Sequence, residues 1–162
     1  MRNTYAKWAI LMLLIASAYG TAWFKAYQLS YQYFQYANAQ LAQGHLISAL
    51  KGMNKLELRQ GETYFGGYQQ VIETWEDTLI GPKPWFYSLA LHQPRNIISQ
   101  LNAEQLEVFI QVYVELDVRY VPEVAEQLQL VARQSGDTSL AREMVEFLSE
   151  AFPYYQIKSE SD

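Results

Sequence analysis

Histidine, cysteine and paired carboxylates carry much of protein chemistry, and this sequence offers few of them at a useful spacing. Neither His45 nor His92 has a second histidine or an acidic residue three or four positions away, the spacing that puts two metal ligands on one face of a helix. Cysteine is absent, so the chain has no thiolate ligand and no disulfide. We therefore predict no metal site and no bound cofactor.

Two further patterns partly match catalytic sites. The segment GETYFGG, residues 61–67, has glycines spaced loosely like those of a phosphate-binding loop, but the lysine and hydroxyl that should follow them are missing. Glu73, Glu76 and Asp77 form a close group of carboxylates, and such a group can transfer protons when a cleft raises one pKa. We predict no catalytic residue. An enzyme that uses Glu73 and Glu76 is the weaker alternative.

The elements that hold these residues begin with an uncharged stretch of seventeen residues, WAILMLLIASAYGTAWF, at positions 8–24. At ~1.5 Å per residue it forms a helix of about 25 Å, close to the ~30 Å hydrocarbon core of a bilayer. Lys7 and Lys25 flank it and can reach the lipid headgroups, and aromatic residues, which prefer the interface, stand at both ends. We predict a membrane anchor over residues 1–26, with lipid contact through residues 8–24.

Two other interpretations of this stretch remain open. Arg2, Lys7 and the small residues 16–18 (Ala-Ser-Ala) also fit a cleaved signal peptide, although the apolar run continues to Phe24, past the point where a signal peptide becomes polar. A helix buried inside a soluble domain is the third interpretation.

The flanking charges predict the orientation of the anchor. Arg2 and Lys7 precede the apolar stretch, whereas Lys25 is the only basic residue after it until Lys51. Because basic flanks stay in the cytoplasm, we predict a single-pass protein of the inner membrane. Its N-terminus is then cytoplasmic, and its remaining chain is extracytoplasmic, which means periplasmic in a bacterium.

The charge distribution narrows the class of partner. The net charge is −5, and residues 103–162 hold twelve acidic but only four basic side chains. Nucleic acid is not an expected partner, because phosphate contacts need a basic face. We predict binding to other membrane or periplasmic proteins, including membership of a multi-subunit membrane complex. The acidic last third is either a solvated face or a docking surface for a basic partner.

Helical patterns dominate beyond the anchor, and strand patterns are almost absent. The sequence therefore predicts an all-α fold, in which the anchor is followed by about six or seven short helices in one domain over residues 27–156 and a disordered tail over 157–162. A capping box of Asn102 and Gln105 opens one helix, which runs to about Leu116. The other predicted helices cover residues 26–43 (continuous with the anchor), 45–58, 63–76, 85–92, 94–101, 122–135 and 139–152.

Two segments share a weak pattern when they are aligned on glycine. Ala49 follows Gly44 by five residues, Ala141 follows Gly136 by five, and Pro153 follows twelve residues later. Glycine lets the chain turn from one helix into the next, and the small residue lets the two helices approach closely. This pattern resembles the tetratricopeptide repeat, over roughly residues 30–63 and 122–155.

The resemblance is incomplete. Gly61 stands where proline is expected, and Gln129 stands where the first helix of a repeat has a small residue. A plain irregular helical bundle is the alternative.

If the resemblance holds, it implies a scaffold that binds other proteins. Its groove-facing positions would be partner-binding residues: Tyr31, Phe34, Asn38 and Leu41 in the first segment, and Glu123, Glu126, Leu130 and Arg133 in the second. Arg133 is the only basic member, so capture of a C-terminal carboxylate is not expected. The predicted function is a membrane-anchored scaffold or adaptor, an accessory or assembly factor at the inner membrane. The alternative is a small structural subunit of a larger membrane complex.

Aromatic residues follow the anchor on several helical faces. Tyr27, Tyr31 and Phe34 lie on one face, and Tyr33 and Tyr36 lie on others. Their rings fit either an intramolecular core or an external contact, because tyrosine has an apolar body and a polar tip.

Overall fold

The computed structural model describes residues 2–53 and 64–155, with side chains from residue 5 onward. Within these ranges every regular element is a helix, which confirms the all-α prediction. The seven described helices are α1 (Arg2–Ala42), α2 (Leu46–Lys51), α3 (Tyr68–Glu76), α4 (Trp85–Ile98), α5 (Ala103–Leu116), α6 (Val121–Ser135) and α7 (Thr138–Ala151). The predicted tail over residues 157–162 lies outside the described residues.

The chain divides into two compact units, residues 1–91 and residues 92–162, and the boundary falls inside α4. The predicted single domain over residues 27–156 spans both. In the N-terminal unit α1 packs against α2 and α3, and in the C-terminal unit α6 packs against α5 and α7.

The first helix is continuous from the apolar stretch into the body, as predicted. It contains no proline, and its one internal glycine, Gly20, does not interrupt it. It ends in a Schellman motif: the His45 amide donates to the Gln40 carbonyl at 2.9 Å, and the Gly44 amide donates to the Leu41 carbonyl at 3.0 Å. Gly44 supplies the positive φ of 78° that this motif requires.

Helices α2 and α3 are shorter than predicted, because the backbone at residues 52–53 packs closely against the backbone at residues 65–67. Helix α2 stops at Lys51, where Gly52 turns with a φ of 85°, and the Met53 amide then donates to the Phe65 carbonyl at 2.9 Å. A Cβ atom on Gly67 would lie 2.5 Å from the Ala49 carbonyl oxygen, so only glycine fits there. The predicted helices 45–58 and 63–76 are therefore wrong at residues 52–53 and 64–67. Residues 54–63, including Gly61, lie outside the described part.

The predicted break at Pro94 is also wrong. Helix α4 runs from Trp85 to Ile98 with Pro94 inside it. An internal proline costs about 3 kcal/mol, because it removes one amide donor and crowds the preceding turn. Buried side chains on both sides of the proline, such as Phe86 and Ile97, favour the helical path nevertheless.

The last three helices follow their sequence signals closely. The Asn102 side chain accepts a hydrogen bond from the Gln105 amide at 2.9 Å, and the Gln105 side chain accepts one from the Asn102 amide at 3.1 Å, which confirms the capping box. Pro122 lies in the first turn of α6, as predicted. Asp137 caps α7 by accepting a hydrogen bond from the Leu140 amide at 3.0 Å.

The two glycine turns have the same backbone hydrogen bonds. The turn at Gly136 repeats the Schellman motif of the turn at Gly44, with the Asp137 amide donating to the Ala132 carbonyl at 2.9 Å. Ala49 in α2 and Ala141 in α7 are both buried, and each of these helices packs back against the helix that precedes the turn. The helices that follow differ in length, since α2 has 6 residues and α7 has 14. The relationship to a repeat family stays a prediction.

Candidate functional site

The first part of α1 is an apolar helix whose residues are exposed. Every side chain from Tyr5 to Ala22 is exposed, and large ones such as Leu13 and Leu14 are more than 60% exposed. Among the described residues, α1 is the helix long and apolar enough to cross a membrane, and none of its apolar window is buried. This contradicts the interpretation of the stretch as a helix buried within a soluble body.

Burial of α1 begins at Trp23, where the helix enters an aromatic cluster. The Trp23 ring stacks on Tyr27 with 5.5 Å between centroids and meets the edge of Trp75 at 5.7 Å. The buried Trp75 indole donates a hydrogen bond to Ser30 Oγ at 2.9 Å. Ser30 Oγ donates in turn to the Ala26 carbonyl at 2.7 Å, so the polar groups of this contact are satisfied.

The aromatic series continues along α1 into the core. Tyr27, Tyr31 and Phe34 each lie 5.4–5.5 Å from the ring of Phe86 in α4. On other faces of α1, Tyr33 packs against Tyr64 and Tyr36 stacks on Phe65. These contacts show that the series packs within its own unit, with Phe34 buried and the four tyrosines half-buried.

The loop between α3 and α4, residues 77–84, is attached to the exposed end of α1. The Tyr19 hydroxyl donates to the Ile80 carbonyl, and the Trp23 indole donates to the Pro82 carbonyl at 3.2 Å. The side chains of Leu79 and Ile80 are 97% and 73% exposed.

The first set of predicted partner-binding residues lies largely in or beside the core. Phe34 is 7% exposed and packs against three aromatic rings, so its side chain is not available to a partner. Tyr31 and Leu41 are half-buried. Asn38 is exposed, and its Oδ1 accepts a hydrogen bond from the Tyr68 hydroxyl at 2.6 Å.

The second set lies in the C-terminal unit and is more accessible. Glu123 and Leu130 are exposed, whereas Glu126 is half-buried and accepts a hydrogen bond from the Tyr155 hydroxyl at 2.7 Å. Arg133 lines a shallow cavity of about 310 Å³ together with Arg142 on α7. The sequence analysis missed Arg142, because its proximity to Arg133 depends on how α6 and α7 pack.

The residues considered for chemistry are spread along the surface. His45 Nδ1 lies 3.0 Å from the Gln40 side-chain oxygen, and His92 is exposed. Glu73 is exposed and accepts a hydrogen bond from Gln69 at 2.6 Å, and Asp77 is exposed at the end of α3. Across the described ranges no three histidine, aspartate or glutamate side chains come together in a way that could hold a metal ion.

The buried hydroxyl of Tyr68 gives the N-terminal unit a testable pH dependence. Burial raises the pKa of Tyr68 from its usual 10.0 to about 12. Between these values an unfolded tyrosine has lost its proton while folded Tyr68 keeps it, so we expect the free energy of unfolding to fall from pH 10 to about 12. Urea unfolding followed by tryptophan fluorescence reports this unit, because all four tryptophans lie in residues 1–91.

The control for this pH dependence is Tyr68→Phe. This variant lacks the hydrogen bond to Asn38 and should be less stable at neutral pH. Its free energy of unfolding should then fall less steeply above pH 10 than that of the natural protein. An identical decline in the two proteins would contradict the assignment.

The comparisons with known proteins identify no relative of this protein. No family model, no curated protein and no solved structure matches the chain. What the chain does must therefore be inferred from its exposed apolar helix, its aromatic core and its accessible surfaces.

Proposed function

We propose that this protein is a single-pass, membrane-anchored helical scaffold that acts by binding other proteins at the inner membrane. Its N-terminus lies in the cytoplasm and the chain beyond Lys25 lies outside it, as an accessory or assembly factor for membrane or periplasmic partners. The protein would act by binding: its anchor confines the rest of the chain to a thin layer at the membrane surface, which raises its effective concentration toward partners in the same membrane.

The observation that carries this proposal is the fully exposed apolar part of α1. Eighteen consecutive residues, from Tyr5 to Ala22, are exposed, and they include long aliphatic ones such as Ile10, Leu13 and Leu14. Soluble monomers rarely expose an apolar patch of this extent, whereas a bilayer covers it completely. A helix also satisfies the hydrogen-bonding groups of its own backbone, for which the acyl chains of lipid offer no partner.

The scaffold part of the proposal is supported by the helical hairpins. The matched turns at Gly44 and Gly136, each followed by a buried alanine, are what a tetratricopeptide-like array would contain. Exposed side chains on α6, namely Glu123, Leu130 and Arg133, are the candidate contacts in the C-terminal unit.

A small structural subunit of a larger membrane complex is the second candidate, and one observation favours it. Gly20 has nothing within 4 Å of the position where its Cβ would lie, and Ala16, Ser17 and Thr21 nearby are also small and exposed. Such a face lets another membrane helix approach closely. After extraction with detergent, a scaffold should purify as a monomer or homodimer, whereas a subunit should co-purify with its partners in fixed stoichiometry.

The absence of native cysteine makes the membrane orientation directly measurable. Single cysteines are placed at Asn3, before the apolar stretch, and at the exposed Ser139 in α7. Intact cells are then treated with a membrane-impermeant maleimide. We expect labelling at Ser139→Cys and none at Asn3→Cys until the cells are permeabilised. Labelling at Asn3→Cys alone would reverse the orientation. The mass of the extracted protein is the second readout, and a chain that begins at Tyr19 would refute the retained anchor.

A further inference from the structure

The loop at residues 77–84 carries an apolar tip that nothing in its own unit covers. Leu79 and Ile80, which we call the loop tip, are 97% and 73% exposed, although most of the large apolar side chains that follow the anchor are buried or half-buried. The tip is bounded by polar residues at the base of the loop. Asp77 is exposed on one side, and Lys83 on the other donates to the Glu76 carbonyl at 3.1 Å.

The loop is attached to α1 inside the apolar stretch. The Ile80 carbonyl accepts a hydrogen bond from the Tyr19 hydroxyl, and the Pro82 carbonyl accepts one from the Trp23 indole at 3.2 Å. Gly81 makes the close approach feasible, because a Cβ atom there would lie 2.7 Å from the Tyr19 hydroxyl and its φ is 99°. The loop tip is thus held beside the end of the anchor.

The attachment points set the depth of the tip along the helix axis. Tyr19 is six residues before Lys25, the basic residue that marks the end of the anchor. At ~1.5 Å per residue, Tyr19 lies about 9 Å closer to the membrane centre than Lys25. Amphipathic protein segments bury their apolar faces about 5–10 Å into the boundary between headgroups and acyl chains, which is the same depth.

We propose that the loop tip, Leu79 and Ile80, inserts into the leaflet that faces the body and forms a second, independent contact with the acyl chains. This inference rests on the proposed membrane anchor and extends it, because it gives the lipid two contact points 55 or more residues apart in sequence. The occupant of the exposed tip is lipid rather than a partner protein, since Tyr19 and Trp23 hold the tip at a depth where lipid surrounds the anchor.

The chemistry of the loop fits an interfacial position. Leucine and isoleucine each favour an apolar environment over water by roughly 10- to 100-fold in partitioning. Trp23, two residues before Lys25, is a residue type enriched where acyl chains meet headgroups. Lys83, at the base of the loop, lies 4.7 Å from the centre of the Tyr87 ring, and a lysine near this level can contact lipid phosphate.

The test uses the full chain reconstituted into nanodiscs of phosphatidylcholine, without any other membrane protein. A single cysteine at Ile80 carries an environment-sensitive fluorophore, and lipids with a nitroxide on the acyl chain quench any label that reaches them. Leu14→Cys, within the anchor, is the positive control. Gln35→Cys, exposed on α1 ten residues beyond Lys25, is the negative control.

We expect blue-shifted emission and a loss of fluorescence at Ile80→Cys comparable with that at Leu14→Cys, and no loss at Gln35→Cys. With the label moved to Leu79→Cys, the additional substitution Ile80→Asp should reduce the quenching, because a carboxylate stays in water. Solvent-like emission at Ile80→Cys with full quenching at Leu14→Cys would overturn the loop insertion alone and point to a protein occupant. Loss of quenching at Leu14→Cys would overturn the anchor itself.

Discussion

Substituting arginine at two central anchor positions, Leu14 and Ile15, is expected to move the protein from the membrane fraction to the soluble fraction. Both side chains are exposed on α1, so the substitutions should not disturb packing within the N-terminal unit. Each exchange of an aliphatic residue for arginine near the centre of a membrane helix costs about 3–4 kcal/mol. Two such exchanges lower the inserted fraction by roughly 10⁴-fold or more.

The matched control places two arginines on the body, at Val108 and Val112 of α5. These side chains are also partly exposed, at 46% and 43%, and they lie outside the apolar stretch. This variant should remain with the membranes after an alkaline carbonate wash that strips peripheral proteins. Retention of the anchor variant in the washed membranes would mean that something other than residues 8–24 holds the protein there.

Replacing Gly52 with alanine is expected to destabilise the N-terminal unit strongly, and more than the same change at Gly44 or Gly67. A Cβ atom at this position would lie 2.7 Å from the Gly67 nitrogen and 2.8 Å from the Phe65 carbonyl oxygen, and the φ of 85° is strained for any residue with a side chain. Backbone strain and overpacking each cost about 1–3 kcal/mol, so the free energy of unfolding should fall by roughly 2–6 kcal/mol.

Two other glycines separate the causes of that loss. Gly44 has a φ of 78° with nothing within 4 Å of a Cβ, so Gly44→Ala tests backbone strain alone. Gly67 has a negative φ of −94° but would place a Cβ 2.5 Å from the Ala49 carbonyl, so Gly67→Ala tests crowding alone. Urea unfolding monitored by tryptophan fluorescence should rank Gly52→Ala as the least stable. A loss at Gly52→Ala no larger than at Gly44→Ala would refute the close backbone packing.

Local signals explain which elements the sequence analysis predicted well. The limits of α5, α6 and α7 depend on side chains that bond to nearby backbone, such as Asn102 and Asp137, and on the glycine turn at Gly136. These bonds join residues five or fewer positions apart, so the order of residues is enough to infer them. The long apolar helix at the start of the chain is predictable for a similar reason, because seventeen uncharged residues in a row are a local property.

Long-range contacts explain what the sequence analysis missed. The early end of α2 depends on Gly52 meeting Gly67, and the unbroken α4 depends on burial on both sides of Pro94, which outweighs a local helix-breaking signal. In the candidate site, the attachment of the loop joins residues 61 positions apart, Tyr19 and Ile80. Leu79 and Ile80 lie in a loop that the sequence predicts, but only the fold shows that they are exposed and that the loop lies beside the apolar part of α1.

The continuity of α1 has a mechanical consequence. The segment from Lys25 to Ala42 extends the apolar part of α1 by eighteen residues, about 27 Å, with no proline or glycine to act as a hinge. Membrane helices commonly tilt by about 20° from the bilayer normal, and a change of that size would displace the Ala42 end by roughly 9 Å. In the proposed anchored state, a neighbouring membrane helix that pushes on the half of α1 inside the bilayer would therefore swing its outer half as a lever, and bilayer thickness would set the direction of the outer half.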